Sequence, residues 1–514
     1  MDSQKKTYTP SRIAPSVALG QNTLGFMLPY TPLHHLILKR MNRPIVLTSG
    51  NLSDEPQCID NDEAREKLGK IADYFLFHNR QIVNRVDDSV VRVVGNKVQI
   101  VRRARGYAPA PIHLPPGFNR VPQILAMGSE LKNTFCLLQD TKAIVSQHLG
   151  DLENAVAFRA YQDMLNLYLN LFEYKPEAIA VDLHPEYLSA KLGKELASVH
   201  QYGYSTTVPL LYIQHHHAHI AACMVENGVP IDSPPILGVA FDGLGYGGDG
   251  TLWGGEFLLA DYRQFKRLAT FKPVAMIGGK QAIKEPWRNT YAQLISCFSW
   301  EDLKQNYGNL EIINFLDKKP LKLLNQVIEK QINSPKTSSV GRLFDAVAAA
   351  IGICQEKCSY EGQAAVEMEA ACDTASAVKL PAYRTILESS STTIGYSFTI
   401  ETVDNLYHIN PHPMWKALLD DLQQQVKPSI IAAKFHLGLA NLIVETINLI
   451  CHKHDIKCVA LSGGVFQNKI LLEQVTVKLK ALNFKVLTHS LVPTNDGGLS
   501  LGQAAIAAAS LQNT

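Results

Sequence analysis

The sequence predicts an α/β protein in which one sheet-plus-helix unit occurs twice. Three short apolar strands, a helix and a further strand follow one another between residues 124 and 181, and the same order recurs loosely after residue 235. Strands that alternate with helices favour layered α/β folds. A histidine cluster, Ile213-Gln-His-His-His-Ala-His219, lies between the two units, and several glycine-rich turns follow it. This combination indicates an enzyme that binds a metal, with a nucleotide between the two halves of the fold.

Size and composition restrict the class of protein. The chain has 514 residues, of which 46% are hydrophobic, and this length predicts more than one domain. A formal net charge of +2 gives no electrostatic reason to expect nucleic acid or an anionic membrane as the main partner. The nine cysteines form no CxxC pair, which favours free thiols in a reducing cytoplasm. The N-terminus lacks an apolar signal region, and polar residues interrupt Ile430–Ile450, so we expect neither secretion nor a membrane span.

The first unit is expected over residues 15–117, after a polar and loose segment over residues 1–14. The segment Ala108–Pro122 is rich in proline and predicts a linker. Runs of β-branched residues and turn residues give the other predictions. These are a buried strand at Pro44–Thr48, a helix at Asn61–Ile71, and two strands within Ser89–Val101 that turn at Gly95-Asn96.

Two lobes are expected to follow, over residues 121–232 and 233–514. The first has predicted strands at Ile124–Met127, Phe135–Leu138, Ala143–Val145 and Ala178–Val181, and a helix at Asn154–Phe172. The second has predicted strands at Leu237–Phe241, Trp253–Ala260, Leu268–Phe271, Lys457–Leu461 and Phe484–Leu487, and helices at Lys469–Leu482 and Gly497–Leu511.

The histidine cluster predicts a metal site. His215 and His219 are four residues apart, so on a helix they lie on one face and suit one divalent metal. Such a site needs an oxygen ligand from elsewhere in the chain. Asp496, before two glycines at a predicted helix start, can supply it or can simply cap that helix. The alternative for the histidines is a solvated polar helix start.

Two glycine-rich turns predict contacts with phosphate. In Asp242–Gly250, Gly243 and Gly245 let backbone N–H groups approach an anion, and Asp242 can hold a metal–phosphate complex. The turn that begins at Ser462 contains Gly463, Gly464 and Asn468, and it lies where a strand meets a helix N-terminus. A glycine-rich hairpin and a tight strand–helix turn remain the structural alternatives.

Several isolated polar residues are further candidates. Lys132 can reach a phosphate or be an ordinary hairpin lysine, and Asp345 is an acid in an apolar helix, which is costly unless paired or functional. Gly362 can allow close approach of a ligand or simply form a turn. In the first unit, Ser49, Asn51 and Arg103 suit a nucleotide or an acyl phosphate, with a turn and a basic strand end as alternatives.

Five longer motifs lie in the N-terminal part of the chain. They are Leu28-Pro-Tyr-Thr-Pro-Leu-His-His35, Thr48-Ser-Gly-Asn-Leu-Ser-Asp-Glu-Pro56, His78-Asn-Arg80, Arg85-Val-Asp-Asp-Ser-Val-Val-Arg92 and Arg102-Arg-Ala-Arg-Gly-Tyr-Ala-Pro109. These motifs resemble the YrdC-like part of the hydrogenase-maturation carbamoyltransferase family, HypF, and the later motifs resemble its second part, which is similar to the universal tRNA threonylcarbamoyl transferase. That second part has the duplicated actin/Hsp70-type, ribonuclease-H-like ATPase fold, and the resemblance covers residue 15 to the end.

The resemblance implies a reaction and roles for the candidate residues. Members of the family make carbamoyl adenylate from carbamoyl phosphate and ATP, and pass the carbamoyl group to the C-terminal cysteine of HypE for the cyanide ligands of [NiFe]-hydrogenase. The implied metal ligands are His215, His219 and Asp496, and the metal can be iron, zinc or magnesium. The implied adenylate contacts are Asp345, Gly362 and Asn468, with Ser49, Asn51 and Arg103 at the first nucleotide site.

The chain departs from the family pattern at its N-terminus. Neither an acylphosphatase segment nor zinc-finger CxxC pairs precede residue 15, and the first half of the YrdC-like domain is not present in the sequence. We therefore expect a truncated or split member whose transferase part is complete and whose adenylate-forming part is not. The alternatives are an antibiotic-type O-carbamoyltransferase, against which the order of the parts argues, and a non-catalytic remnant that binds HypE or nucleotide.

Overall fold

The structure is a computed structural model that describes residues 13–53, 55–119, 121–198, 200–201, 204–205, 207–372 and 395–512. Most of the segment expected to be loose, residues 1–14, lies outside the described residues. The nine cysteines are free thiols.

The first unit is small and open. It contains a short 3-10 helix at Pro15–Ala18, helices at Pro32–Met41 and Asn61–Leu68, and a hairpin of strands Val90–Val94 and Lys97–Arg102. The Thr31 and Asp60 side chains cap the two α-helices, yet neither helix has a buried residue. Gly95 and Asn96 both have positive φ, as a two-residue hairpin turn requires, so the predicted pair of strands is confirmed.

The predicted buried strand at Pro44–Thr48 is wrong. This segment is not a strand in the structure, and Val46 and Leu47 are 76% and 54% exposed. Phe26, Leu28 and Tyr74 are also strongly exposed. An apolar run becomes a buried strand only where other strands pair with it and helices or a second sheet cover its faces, and the described part of the first unit offers one two-stranded sheet.

The first lobe is a six-stranded mixed sheet. Strands Ile124–Ala126, Cys136–Gln139 and Lys142–Val145 form an antiparallel meander, and Ala178–Asp182 and Leu210–Ile213 continue the sheet in parallel from its first strand. The sixth strand, Ile112–His113, pairs with the third strand of the meander, so part of the predicted proline-rich linker is built into this sheet. Helices Ala155–Leu171 and Leu188–Ala197 connect the parallel strands, and a short hairpin joins His200–Gln201 to Tyr204–Ser205.

The second lobe repeats this arrangement in a nine-stranded sheet. Strands Ile236–Tyr246, Leu252–Ala260 and Phe265–Phe271 form the meander, and Cys458–Ser462 and Lys485–Leu487 extend it in parallel. The other strands are Val274–Ala275, Lys336–Thr337, Thr399–Val403 and Leu406–Asn410. In each lobe we number the three strands of the meander and then the two parallel strands along the chain. Both sheets then have the order third, second, first, fourth, fifth strand, so the predicted duplication is confirmed.

Most of the other α-helices of the described residues belong to the second lobe. They are Gln281–Lys284, Trp287–Cys297, Trp300–Tyr307, Glu311–Asp317, Leu321–Glu329, Val340–Ala350, Gln363–Cys372, His412–Gln423, Pro428–His454 and Lys469–Ala481. By length and composition Pro428–His454 could cross a membrane, but 67% of its most apolar window is buried inside the fold. One such helix is weak evidence for a membrane span, because the core helices of globular proteins pass the same test.

Two helices tie the lobes together. Helix His215–Glu226 leaves the first sheet and packs on the second, whereas the last helix, Leu499–Leu511, leaves the second lobe and packs on the first sheet. The two helices also contact each other closely, since a Cβ on Gly502 would lie 1.9 Å from the Ala218 carbonyl oxygen. Both therefore belong to one apolar core shared by the lobes.

We expect the first unit to open far more readily than the lobes. Amides of residues 22–30 and 43–49, which lie outside strands and helices, should exchange with deuterium within seconds, because opening costs little free energy where few residues are buried. Strand Ile236–Tyr246 should stay protected for hours in the same hydrogen-exchange mass spectrometry experiment. Equal protection of these segments would show that the first unit is packed more tightly than the structure indicates.

Candidate metal and nucleotide site

The site forms where parallel strands of both sheets end. Strand Ala178–Asp182 ends in a carboxylate, strand Leu210–Ile213 leads into the histidine helix, and strand Cys458–Ser462 leads into a glycine turn. Asp242 lies on the neighbouring strand of the second sheet, with Ala240 beside Ser462. The carboxyl ends of parallel strands are where α/β folds place their ligands, because the loops there converge.

Four side chains converge at this edge. The ligand atoms of His215, His219, Asp242 and Asp496 all lie within 4.8 Å of one another. Helix His215–Glu226 places both imidazoles on one face, as the spacing of the histidines predicts. Asp496 approaches from a short 3-10 turn, where Asn495, not Asp496, caps the backbone. The structure thus brings together the three predicted metal ligands and adds Asp242.

The geometry of the four groups fits a divalent metal. The Nε2 atoms of His215 and His219 are buried and have no hydrogen-bond partner. They lie 3.4 and 3.8 Å from Asp242 Oδ2, and 3.6 and 3.5 Å from Asp496 Oδ1. Ligands bound tetrahedrally at about 2.1 Å are separated by about 3.4 Å, so the spacing suits a cation between them. Two imidazoles and two carboxylates are acceptable to zinc, iron and manganese alike.

A further buried acid, Asp182, adds negative charge beside His215. Asp182 Oδ2 lies 2.8 Å from His215 Nδ1, and its Oδ1 accepts the His184 backbone N–H. Burial opposes a charge on His215, but Asp182 and Asp496 outweigh it, so the pKa of His215 lies well above its usual range. Burial likewise opposes a charge on Asp242, and the two imidazoles nevertheless hold its pKa well below the usual range. A metal would replace the imidazole protons in this arrangement.

The other two histidines of the cluster have structural partners. His216 Nδ1 lies 3.1 Å from the Gln214 amide, and burial holds the pKa of His216 well below its usual range. His217 Nε2 lies 2.6 Å from the Asp261 carbonyl oxygen. Gly245, predicted to approach phosphate, lies against this cluster, since a Cβ there would be 2.4 Å from His216 Cε1 and 2.7 Å from His215 Cδ2.

The two glycine-rich segments lie side by side on neighbouring strands of the second sheet. Residues 242–246 continue the strand that begins at Ile236, so Gly243 and Gly245 lie in a strand and not in a loop. The Gly464 N–H donates to Asp242 Oδ1 at 2.9 Å. Gly463 has a φ of 96°, and a Cβ there would lie 2.2 Å from the Phe241 carbonyl oxygen. The contact arises because Gly463 directly follows strand Cys458–Ser462, which pairs in parallel with the strand that contains Phe241.

Charged side chains lie beside Gly243. A Cβ on Gly243 would lie 3.5 Å from Glu361 Oε1 and 3.9 Å from Arg342 Nη2. Lys132 forms a 2.6 Å ion pair with Glu361, which joins the first lobe to the loop that contains Gly362. Gly362 has a φ of 78° and open space where a Cβ would point. The structure therefore places Gly243, Lys132 and Gly362 next to Glu361.

Asp345 is paired with one of these charged side chains, Arg342. Its Oδ2 lies 2.7 Å from Arg342 Nη1, and both side chains are almost fully buried. Burial raises the pKa of Asp345 to about 6, an effect that Arg342 reduces and Glu361 strengthens. A carboxyl group poised near neutral pH is suited to proton transfer.

The structure gives other tasks to the remaining candidates. Asn468 caps the Leu471 N–H and lies 2.8 Å from His436 Nε2, so both ends of its amide are used inside the protein. The Arg103 guanidinium donates to three backbone carbonyls, those of Val145, Tyr107 and Ala110. The Asn51 amide donates to two carbonyls of its own loop, and Ser49 is exposed in that loop of the first unit.

Sequence reasoning missed three residues of the site, namely Asp182, Arg342 and Glu361. Asp182 ends a buried strand in Ala178-Ile-Ala-Val-Asp182, a position that could have indicated a carboxylate at the sheet edge. Arg342 lies three residues before Asp345 on one helix, the spacing of an ion pair. Nothing in the sequence indicates that Glu361 faces Lys132, since 229 residues separate them.

Fold and site define a class, that of proteins with the duplicated actin/Hsp70-type ATPase fold and a group of side chains between the lobes that could hold a metal. Residues 238–503 match the model of the carbamoyltransferase Kae1-like domain, second subdomain, and residues 119–226 match that of the HypF Kae1-like domain. Residues 4–104 match the Sua5/YciO/YrdC model, described as telomere recombination. The chain belongs to the carbamoyltransferase HypF family.

Relatives and solved structures agree with this assignment. The carbamoyltransferase HypF of Rhodobacter capsulatus is 41% identical over 505 residues, which are 98% of this chain and 62% of the relative. The crystal structure of full-length HypF in the phosphate- and nucleotide-bound form has a TM-score of 0.83 at 39% identity, over 96% of this chain and 60% of that one. The T. kodakarensis HypF crystal structure has a TM-score of 0.84 at 30% identity, over 98% and 62%. The chain thus spans about three fifths of the length of these relatives.

Replacing the carboxylate behind His215 should weaken metal binding. Asp182→Asn keeps the volume and loses the negative charge that orients the imidazole, so we expect a zinc dissociation constant raised about 10- to 100-fold. Competition with a chromophoric chelator measures it. Asp163→Asn, at an exposed position of helix Ala155–Leu171, is the matched control and should change nothing. Equal zinc affinity of the two variants would show that Asp182 does not support the site.

Gly463→Ala should lower the free energy of unfolding by about 2 kcal/mol or more, because it combines positive φ with a backbone clash. Urea titration followed by circular dichroism measures this change. Gly248→Ala, in a hairpin turn with open space around it, should stay within about 0.5 kcal/mol of the unsubstituted chain. Coinciding unfolding curves for the two variants would refute the close packing of the glycine turn on strand Ile236–Tyr246.

Proposed function

We propose that this chain transfers a carbamoyl group from carbamoyl adenylate to the C-terminal cysteine thiol of HypE, at a site that holds a divalent metal. The observation that carries the proposal is the convergence of His215, His219, Asp242 and Asp496 beside Gly243. Family membership supports the substrate class, since the matched domains and relatives are named carbamoyltransferases. We place the protein in the cytoplasm, without a membrane or nucleic acid as partner.

The reaction needs a bound adenylate and an incoming thiol. The thiol sulfur forms a bond to the carbamoyl carbon, the bond from that carbon to the phosphate oxygen breaks, and AMP leaves with the electron pair. The two imidazoles and two carboxylates would hold a divalent metal, whose positive charge would stabilise the charge that develops on the phosphate or carbonyl oxygen. The thiol proton needs an acceptor within the site.

We assign separate tasks to the chain's own groups. Asp345, with its pKa raised to about 6, is the candidate acceptor of the thiol proton near neutral pH. The Glu361 carboxylate and the Arg342 guanidinium lie beside Gly243, and Lys132 is paired with Glu361, so a phosphate bound there would take the place of Glu361 as the partner of Lys132. Gly464 fixes the Asp242 carboxylate through its N–H, which leaves the other carboxylate oxygen turned toward the imidazoles.

The ATP-dependent step that forms the adenylate from carbamoyl phosphate belongs, by this proposal, to the first unit, but the first unit as described is too open to carry it out. Its described residues form one two-stranded sheet, and its nucleotide candidates Ser49 and Asn51 lie in an open loop. An open pocket binds nucleotide poorly, because water competes for each hydrogen bond. This openness also favours a second candidate function, a non-catalytic chain that binds HypE or nucleotide without turnover.

Supplying each substrate set separately distinguishes the two functions. With HypE and preformed carbamoyl adenylate, the metal-loaded chain should add a carbamoyl mass increment to HypE, detected by intact-protein mass spectrometry. With carbamoyl phosphate and ATP, the same chain should add none. No increment from the adenylate would favour the non-catalytic function, and an increment from carbamoyl phosphate and ATP would show that the first unit is active as it stands.

A histidine variant tests the site in the same assay. His219→Ala should slow transfer from the adenylate at least about 100-fold, because it removes one of the four proposed metal ligands and weakens the stabilisation of charge that develops during transfer. His454→Ala, at the exposed end of helix Pro428–His454, is the matched control and should transfer normally. Normal transfer by His219→Ala would remove the histidine cluster from the reaction.

A further inference from the structure

A second set of buried polar side chains lies behind the metal cluster. Ser462 Oγ lies 2.7 Å from His489 Nε2, and His489 Nδ1 contacts the Glu226 carboxylate. The three side chains are almost completely inaccessible to solvent. Buried polar groups are costly unless they are paired, so this hydrogen-bonded row requires an explanation.

The row joins three elements that carry the metal cluster. Ser462 donates to the carbonyl oxygen of His219 at 2.9 Å, and it ends the strand that leads into Gly463 and Gly464. Glu226 is the last residue of the histidine helix. His489 begins the segment that leads to Asp496.

Glu226 also holds the backbone of that segment. Its Oε2 accepts the N–H groups of Ser490 at 2.8 Å and of Leu491 at 2.6 Å. The segment continues to Thr494, whose carbonyl accepts the Gly463 N–H at 3.0 Å. The helix end, the glycine turn and the approach to Asp496 are therefore fixed to one another through a single carboxylate and its neighbours.

We propose that Glu226, His489 and Ser462 are positioning residues that set the distance between the imidazoles and Asp496 for a divalent cation. The row reaches the backbone of His219 on one side and the segment before Asp496 on the other, so its loss would let the two kinds of ligand separate. Separation by a few tenths of an ångström is enough to change coordination, because metal–ligand distances are fixed to about 0.2 Å.

The order serine, histidine, carboxylate resembles a nucleophilic triad, but the surroundings exclude that role. Ser462 has no exposed surface, and its hydroxyl is engaged by the His219 carbonyl. A nucleophile must reach the substrate, whereas this hydroxyl faces protein on every side. The row therefore acts through the metal ligands and does not touch substrate.

The positioning role rests on the proposed metal site. Binding of cobalt(II) tests the metal site and the positioning role separately. Co²⁺ added to the metal-free chain should give a visible d–d absorption band from nitrogen and oxygen ligands, and this band should be weaker and shifted in His215→Ala, which keeps one imidazole. For Ser462→Ala we expect a Co²⁺ dissociation constant raised about tenfold and a shifted band. His489→Gln should show a change in the same direction.

Ser146→Ala is the matched control. Ser146 is also a fully buried serine whose hydroxyl has two hydrogen bonds, to Gln147 O and from Phe135 N, but it lies in the first lobe apart from the cluster. Its loss should lower the melting temperature of the metal-free chain about as much as Ser462→Ala does, yet leave the Co²⁺ affinity and band unchanged.

The outcomes separate the two proposals. A wild-type band that depends on His215, with Ser462→Ala and His489→Gln indistinguishable from Ser146→Ala, overturns the positioning role and leaves the metal site standing. A wild-type chain without a His215-dependent band overturns both. Should Ser462→Ala fail to fold, His489→Gln alone decides the positioning role.

Discussion

Two carboxylates facing two buried imidazoles are the constraint on which the rest of the structure depends. Asp242 and Asp496, whose side chains are 8% and 14% exposed, oppose His215 and His219 where water has little access and unpaired charges would be costly. Four charged or polar groups can remain there only if each is held to within a fraction of an ångström. Asp182 and the Gly464 N–H provide part of that support, so the energetic cost of the site is offset by a network that extends into both sheets.

The duplicated fold explains how distant parts of the sequence meet. Each lobe ends its parallel strands at the same edge, and the two crossing helices bring those edges together. The close contact of Gly502 with Ala218 fixes the histidine helix against the last helix, and Asp496 lies three residues before that last helix begins. The spacing of the ligands is thus a property of helix packing between lobes, and Gly502, which is itself no ligand, contributes to it.

Sequence patterns predicted most strands of the lobes and the helical face of His215 and His219, because these depend on local periodicity. They failed at Pro44–Thr48, where burial depends on neighbouring strands that the pattern cannot supply. Asp182 and Glu361 were missed because their roles arise from residues far away in the chain. For Asn468 and Arg103, the sequence suggested ligand binding. Their polar groups instead form hydrogen bonds with the protein's own backbone and side chains.

X-ray absorption spectroscopy at the metal edge tests the central claim most directly. For the chain loaded with one equivalent of zinc, we predict a first shell of nitrogen and oxygen at about 2.0–2.1 Å, with the outer-shell scattering of two imidazoles. That imidazole scattering should fall to one ring in His215→Ala. A spectrum dominated by sulfur from the chain's nine cysteines, or by water without imidazole, would contradict a metal held between the two lobes.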